Sequence, residues 1–321
     1  MPAIPRREFL RIGGMTIGGL AVPSLMVACS KRSSPRAGPA NSLQDVLNRL
    51  RASGAKPGLQ AFLGGQDYVA GVADYVGLGL VGPSGTPLSG RQATIWAVPT
   101  ADPTQLVTPI GPFPAPWYGY RKPDLAPTTP KGINAGEITF DKAGVWRMLV
   151  QADTGRGKLF GVVALQVKPT SDTRIVGQKA IPSETPTVQD HHGVDPICTR
   201  EPPCDMHKVT LAKGLTLGKP VCFIVATPRF CMSRACGPNL EELIAVEREF
   251  GDRATFIHAE VYRSDKGEDI ARQIVSPTFK QWNFQSEPWL FVIDSSGTIH
   301  ERFEGAATAA VMRPALMEVL R

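Results

Sequence analysis

The pattern of hydrophobic and polar residues divides the chain into regions. An apolar run without charge extends from Ile12 to Ala28. Between residues 60 and 168, short apolar runs alternate with turns marked by Gly and Pro, as in domains built from short β-strands. From residue 206 onward, apolar runs of strand length alternate with segments of helical period. The pattern therefore predicts a multidomain chain, with an all-β domain over 60–168 followed by an α/β domain over 206–321.

Strand signals recur through the first of these regions. Segments rich in Val, Tyr, Leu and Ile run over 68–81, 92–98, 145–150 and 158–167. Strands at this spacing predict a β-sandwich. The sequence FDKAGVWRMLV at 140–150 resembles the late hairpin of immunoglobulin-like domains attached to exported bacterial proteins. The resemblance implies an immunoglobulin-like sandwich with a structural or interaction role.

Charged residues precede the N-terminal apolar run. Arg6 and Arg7 stand side by side before it, the order of a secretory signal, and the pair resembles the twin-arginine (Tat) export family. The run ends in LMVAC, which resembles a bacterial lipobox and implies lipidation of Cys29, although Met26 replaces the usual Leu. The alternatives are a retained membrane anchor, or an ordinary signal with an incidental cysteine. We expect a signal over 1–29, a tether over 30–59 and an extracytoplasmic protein held to a membrane by its lipid.

Charge and composition narrow the function. The 321 residues carry a net charge of +6 that forms no basic stripe, so no nucleic-acid partner is expected. Five prolines fall between residues 182 and 203, which predicts a linker over 169–205. No cofactor-binding motif is recognised, and no cofactor is predicted.

Six cysteines raise the question of disulfides. With Cys29 lipidated, proximity in sequence suggests the pairs Cys198–Cys204 and Cys231–Cys236, and Cys222 lies in an apolar run typical of a buried strand. A structural disulfide is predicted for Cys198 and Cys204. Three histidines flank this pair, which leaves zinc or copper as a less favoured alternative: His191, His192 and His207. No metal site is predicted.

The second cysteine pair lies where a strand leads into a helix. The stretch ATPRFCMSRACGP at 226–238 resembles the redox-active junction of thioredoxin-like proteins, and Pro288 stands where that family has a cis-proline. The resemblance implies a thioredoxin-like fold over 206–321, with Cys231, Cys236 and Pro288 in the site. Thiols or disulfides of exported proteins would be the partners. The whole chain looks like exported bacterial proteins that combine an immunoglobulin-like domain with a thioredoxin-like domain.

The spacing of this pair departs from the thioredoxin pattern. Four residues separate Cys231 from Cys236, and residues five apart in a helix are about 8–9 Å apart, too far for a disulfide. Pro238 suits a first helical turn, so we expect Cys231 in a loop and Cys236 at the helix tip. Either cysteine could be the attacking thiol, and the helix tip favours Cys236. Phe223 stands where the family has a buried acid, so proton transfer needs another route.

Three hypotheses follow for function. The favoured one is thiol–disulfide exchange on exported proteins. The second is a binding or scaffold module that keeps a structural disulfide. The third is copper handling of the Sco type, with the two cysteines and a histidine such as His258 or His300.

Overall fold

The computed structural model describes residues 40–321, except residues 101, 103, 105 and 122–130. Residues 40–321 form one compact unit. The predicted signal with Arg6 and Arg7, the lipidation site Cys29 and the start of the tether lie outside the described residues. No helix in the described part of the chain is both long and apolar enough to cross a membrane.

Helix α1 (Leu43–Ala52) corrects the predicted tether over 30–59. The Ser42 side chain caps the helix by accepting a hydrogen bond from the Asp45 amide at 3.1 Å. Four side chains of one helix face are buried: Leu43, Val46, Leu47 and Leu50. They pack against Val98, Leu149 and Phe160 of the β region. Their helical spacing is typical of a helix that packs on a core, so this stretch belongs to the folded unit. The polar residues before it led to the prediction of a tether.

Among the described residues, ten strands follow α1 and lie in two sheets. They are β1 (Lys56–Pro57), β2 (Gln60–Leu63), β3 (Tyr68–Val69), β4 (Ala73–Val81), β5 (Ala93–Val98), β6 (Ile110–Ala115), β7 (Trp117–Gly119), β8 (Gly132–Thr139), β9 (Gly144–Asp153) and β10 (Lys158–Lys168). One sheet has the order β1-β10-β9-β5-β6 with β3 also beside β10, and the other has the order β2-β4-β8-β7. Side chains from both sheets meet in one buried core.

Strand β9 shows how the alternation of the sequence builds this core. Trp146, Met148 and Val150 point into the core shared by the two sheets, whereas Leu149 points to the opposite face and contacts the layer of α1. Trp146 also packs edge-on against Phe140, with ring centroids 5.0 Å apart, and donates from Nε1 to the Lys142 carbonyl at 2.9 Å. The FDKAGVW motif thereby fixes the turn between β8 and β9.

The C-terminal region forms the third described sheet. Its elements are α2 (Leu211–Gly214), β11 (Val221–Val225), α3 (Cys236–Phe250), a 3-10 turn (Gly251–Arg253), β12 (Thr255–Ala259), α4 (Gly267–Ala271), α5 (Pro277–Gln281), β13 (Trp289–Ile293), β14 (Ile299–Glu304) and α6 (Ala309–Val319). The sheet order is β12-β11-β13-β14, with β11 parallel to β12 and antiparallel to β13. The predicted alternation of strands and helices over 206–321 is therefore confirmed.

Both faces of this sheet are covered, and every residue of β11 is buried. On one face, α3 and α6 pack over alternate side chains such as Cys222 and Ile224. On the other, Phe223 and Phe291 lie in an aromatic cluster with Trp282. Cys222 is a fully buried strand residue, as the sequence predicted.

The segment predicted as a linker, 169–205, lies against the C-terminal region. Trp282 Nε1 donates to Ser183 Oγ at 2.9 Å, and the Leu211 amide donates to Thr185 Oγ1 at 2.9 Å. Ser183 and Thr185 are buried. The segment is rich in proline and has few apolar residues. The hydroxyl groups of Ser183 and Thr185 nevertheless hold it against the C-terminal region by hydrogen bonds.

A buried ionic network joins the β region to the C-terminal sheet. Arg302 on β14 contacts Asp67 Oδ2 at 2.9 Å and Asp74 Oδ1 at 3.0 Å, and it also donates to the Asp67 carbonyl at 2.9 Å. These three side chains are at most 6 % exposed. Nearby, Glu304 accepts hydrogen bonds from the Gln66 and Asp67 amides at 2.7 and 2.8 Å.

Candidate functional site

The loop after β11 holds the cysteine pair. Residues 226–235 form turns rather than helix, and α3 begins at Cys236. Arg234 has a φ of +59°, a left-handed conformation that reverses the chain between the two cysteines. The prediction of Cys231 in a loop and Cys236 at the helix tip is confirmed.

Two polar groups contact the sulfur of Cys231. The backbone amide of Cys236, the first residue of α3, donates to Cys231 Sγ at 3.2 Å, and Ser233 Oγ lies 3.2 Å from the same atom. The two sulfurs lie within 4.8 Å of each other as free thiols. The unpaired N–H groups of the helix terminus thus point at the loop cysteine.

The two cysteines differ in burial and in the pKa of their thiols. Hydrogen bonds from Cys236 and Ser233 lower the pKa of Cys231 to about 6, even though burial works to raise it. Cys236 is fully buried, and burial raises its pKa well above the usual thiol value. Cys231 is half-buried. Cys231 is therefore the thiol of lower pKa, whereas the sequence had favoured Cys236 at the helix tip. The reason is that the Cys236 thiol, and with a smaller effect its amide, hydrogen-bond to Cys231, while the fold buries Cys236.

Pro288 borders the pair, as expected. The Glu287–Pro288 peptide bond is cis. Ser233 Oγ donates to the Glu287 carbonyl at 3.3 Å, and the Met232 amide donates to the Glu287 carboxylate at 3.2 Å. The segment before β13 is thereby held against the cysteine loop.

Glu287 is the site residue that sequence reasoning missed. Its carboxylate lies within 4.8 Å of both Cys231 Sγ and Cys236 Sγ. Burial raises the pKa of Glu287, although the bond from Met232 opposes this shift. Glu287 is thus an acid beside both thiols. It precedes Pro288 in the chain, whereas the resemblance placed a buried acid in the first strand, at the position of Phe223. Its position before the expected cis-proline was the available signal.

Asn239, in the first turn of α3, has a structural role. Its Nδ2 donates to the Gly305 carbonyl at 2.7 Å, and its Oδ1 accepts from the Ala307 amide at 3.1 Å. The hydroxyl of Tyr120 donates to the same Oδ1 at 3.2 Å. Asn239 is buried and ties α3 to the β region, which leaves Cys231 as the partner of Cys236.

A cleft opens beside the cysteine loop. It has a volume of about 420 Å³, and its lining includes Met232 and Glu287 together with the aromatic side chains of Tyr262, Phe279 and Phe284. Met232, next to Cys231, is 79 % exposed. The cleft thus begins at the residue next to Cys231, and both polar and apolar side chains line it.

The other predicted residues lie elsewhere. Cys198 and Cys204 have their sulfurs 3.8 Å apart as thiols, so their disulfide stays a prediction. His207 and His258 accompany that pair. The remaining histidines contact carboxylates: His191 is beside Asp195, His192 beside Asp190 and His300 beside Glu318.

Comparisons with known proteins gave structural likenesses alone. No family model matches the chain, and no curated protein matches it. A thiol:disulfide interchange protein of the thioredoxin family from Chlorobium tepidum TLS is 16% identical, with 36% of this chain and 88% of that chain covered at a TM-score of 0.28.

Two further likenesses are to superoxide reductases. A putative superoxide reductase from Thermotoga maritima is 10% identical, with 35% of this chain and 86% of that chain covered at a TM-score of 0.20. A superoxide reductase in the oxidised state is 15% identical, with 36% and 98% covered at a TM-score of 0.18. At TM-scores this low, the three likenesses carry no inference about this chain.

Proposed function

We propose that the C-terminal region is a thioredoxin-like domain that exchanges thiols and disulfides through Cys231 and Cys236. The observation that carries the proposal is the pairing of a half-buried Cys231, hydrogen-bonded by the first amide of α3, with a fully buried Cys236 behind it. An accessible thiol of low pKa attacks, and a second thiol resolves the mixed disulfide.

The proposed exchange needs only these two cysteines and the substrate disulfide. The Cys231 thiolate attacks a substrate disulfide, forms a mixed disulfide and releases one substrate thiolate. Cys236, after losing its proton, attacks the Cys231 sulfur, which releases the second substrate thiolate and leaves a Cys231–Cys236 disulfide. Two electrons pass from the dithiol to the substrate, and a partner dithiol restores the pair. The reverse sequence oxidises a substrate dithiol.

Glu287 provides a route for proton transfer. Such a route is needed because Phe223 stands where the thioredoxin family has a buried acid. Cys236 is buried and has a raised pKa, so its attack requires a base close by. The Glu287 carboxylate lies within reach of both sulfurs and is held by the Met232 amide. In its ionised form it accepts the Cys236 proton as the mixed disulfide is resolved.

The surroundings of the pair favour exchange over copper handling. The copper hypothesis needs a histidine beside Cys231 and Cys236. Among the described residues, His258 faces Cys204 and His207, and His300 pairs with Glu318. The cleft beside Met232 instead offers apolar contacts to a protein substrate.

We place this chemistry outside the cytoplasm. The support is the sequence of the N-terminus, with Arg6 and Arg7 before an apolar run and Cys29 at its end. In this proposal Cys29 carries a lipid that holds the protein to a membrane, and its substrates are exported proteins. The two-sheet region is proposed as an immunoglobulin-like module that supports the redox domain through Arg302 and Asn239.

A redox titration tests the proposed function. The protein is equilibrated in glutathione or dithiothreitol buffers, and its cysteines are alkylated and assigned by mass spectrometry. We expect a reduction potential for Cys231–Cys236 between about −270 and −120 mV, the range of exchange proteins, because a low thiol pKa stabilises the reduced form. A potential below about −300 mV would indicate a structural disulfide and support the scaffold hypothesis.

A further inference from the structure

A second group of cysteines and histidines lies outside the redox pair. Cys198, Cys204 and His207 come from the segment before α2, and His258 comes from β12. One donor atom from each lies within 4.8 Å of the donor atoms of the others. Cys198, His207 and His258 are at most 5 % exposed, and Cys204 is half-buried.

The spacing of these atoms matches the edges of a tetrahedron around zinc. Zn–S bonds of about 2.3 Å and Zn–N bonds of about 2.05 Å give edges of about 3.8 Å for S–S, 3.6 Å for S–N and 3.3 Å for N–N. The structure has 3.8 Å between Cys198 Sγ and Cys204 Sγ. Cys204 Sγ lies 3.4 Å from His207 Nε2 and 3.5 Å from His258 Nδ1. The two ring nitrogens lie 3.3 Å apart.

Hydrogen bonds among these four side chains cannot give every sulfur and ring nitrogen a partner. A neutral thiol has one proton and a neutral imidazole has one N–H. The N–H of His258 is committed at Nε2, which lies 3.0 Å from the Ala226 carbonyl, so Nδ1 presents a lone pair to the group. The Cys204 thiol has one proton to offer to three neighbours. A cation at the centre satisfies all four donors together.

Charge and outer contacts favour a divalent cation here. Two thiolates and two neutral imidazoles around Zn²⁺ give a site of zero net charge, which suits burial. The carbonyl of Ala226 fixes the ring of His258. Glu260, which is buried, accepts hydrogen bonds from the Thr199 amide at 2.6 Å and from Thr199 Oγ1 at 2.9 Å, which holds the residue next to Cys198. Hydrogen bonds to the far side of a ligand, or to the residue beside it, orient the ligand toward the metal.

We propose that Cys198, Cys204, His207 and His258 bind one Zn²⁺ in a tetrahedral Cys₂His₂ site. The metal ties the segment before α2 to strand β12, and thus to Ala226 at the start of the redox loop. Binding releases the protons of the two thiols to solvent, and no electrons are transferred. The site is independent of the exchange chemistry at Cys231.

Metal analysis of the whole protein tests the site. Protein purified without chelator is measured for zinc, then stripped with a chelator under reducing conditions and titrated with Zn²⁺ or Co²⁺. We expect one zinc per chain and, with Co²⁺, the intense visible absorption of a tetrahedral thiolate site. Cys204→Ser is expected to weaken zinc binding by more than about 100-fold, because losing even an outer contact costs 10–100-fold.

Matched variants locate the metal. Cys231→Ser removes a cysteine of the redox pair and is expected to retain the full zinc content and the Co²⁺ spectrum. The spectrum of the unsubstituted protein decides the coordination geometry even where Cys204→Ser fails to fold. A Cys198–Cys204 disulfide with no zinc uptake after reduction would overturn the proposal. So would tight binding of Cu(I) without binding of Zn²⁺, or loss of the metal in Cys231→Ser.

Discussion

Cys231→Ser is expected to reduce thiol–disulfide exchange by about three orders of magnitude or more, to the uncatalysed background. A serine hydroxyl stays protonated at neutral pH, so the hydrogen bonds that stabilise a thiolate at Cys231 have no anion to act on. The measurement is the rate of reduction of a protein disulfide by the reduced protein.

The pH dependence of the same rate identifies the thiolate. With a pKa of about 6 for Cys231, the attack rate is expected to be half-maximal near pH 6 and to level off above about pH 7, because the reactive form is deprotonated. At pH 7 about 90% of the thiol is ionised, against about 1% for a thiol with a pKa of 9. Cys222→Ala, in the buried strand, is the control and is expected to retain the rate and its profile. A rate that keeps rising to pH 9 would contradict this assignment.

Arg302→Met is expected to destabilise the protein by about 3–5 kcal/mol in denaturant unfolding. The substitution leaves Asp67 and Asp74 buried without the guanidinium that they share. Lys168, which pairs with Asp67, is shared with Asp172. Because Arg302 lies on β14 while both carboxylates lie in the β region, we expect the two regions to lose their coupling. Unfolding followed by two probes, tryptophan fluorescence and circular dichroism, detects this as transitions that no longer coincide.

Arg313→Met is the matched control for Arg302. Arg313 also pairs with a carboxylate, at 2.7 Å from Glu249, but both side chains are at least 30 % exposed. Exposed pairs contribute about 0–1 kcal/mol, so a small loss is expected. Equal losses for the two variants would show that the buried network does not hold the two regions together.

The elements of the C-terminal sheet could be predicted because their signals are local. Fully apolar runs such as 221–225 predict buried strands, and Pro238 with the amphipathic stretch behind it places the start of α3. Helix α1 was missed although Leu43 and Leu50 keep a helical period. Its apolar face is short, and the polar, Pro-containing residues before it suggested a tether.

The chemistry of the sites depended on packing that the sequence does not display. Cys236 stands at a helix tip, which suggests an activated thiol, but tertiary burial encloses it and leaves the helix amide to Cys231. His258 is 54 residues from Cys204 along the chain. It reaches that cysteine because its amide donates to the Met206 carbonyl at 3.1 Å, which holds the segment of Cys204 beside β12. His191 and His192 were nearer in sequence, yet they contact exposed carboxylates instead.

Trapping of a mixed disulfide tests most directly whether Cys231 attacks and Cys236 resolves. Cys236→Ala removes the resolving thiol and keeps the loop that presents Cys231. Incubated with a disulfide-containing protein and analysed by non-reducing electrophoresis and mass spectrometry, this variant is expected to accumulate an adduct on Cys231 that the unsubstituted protein does not retain. An adduct on another cysteine, or none in Cys236→Ala, would contradict the account.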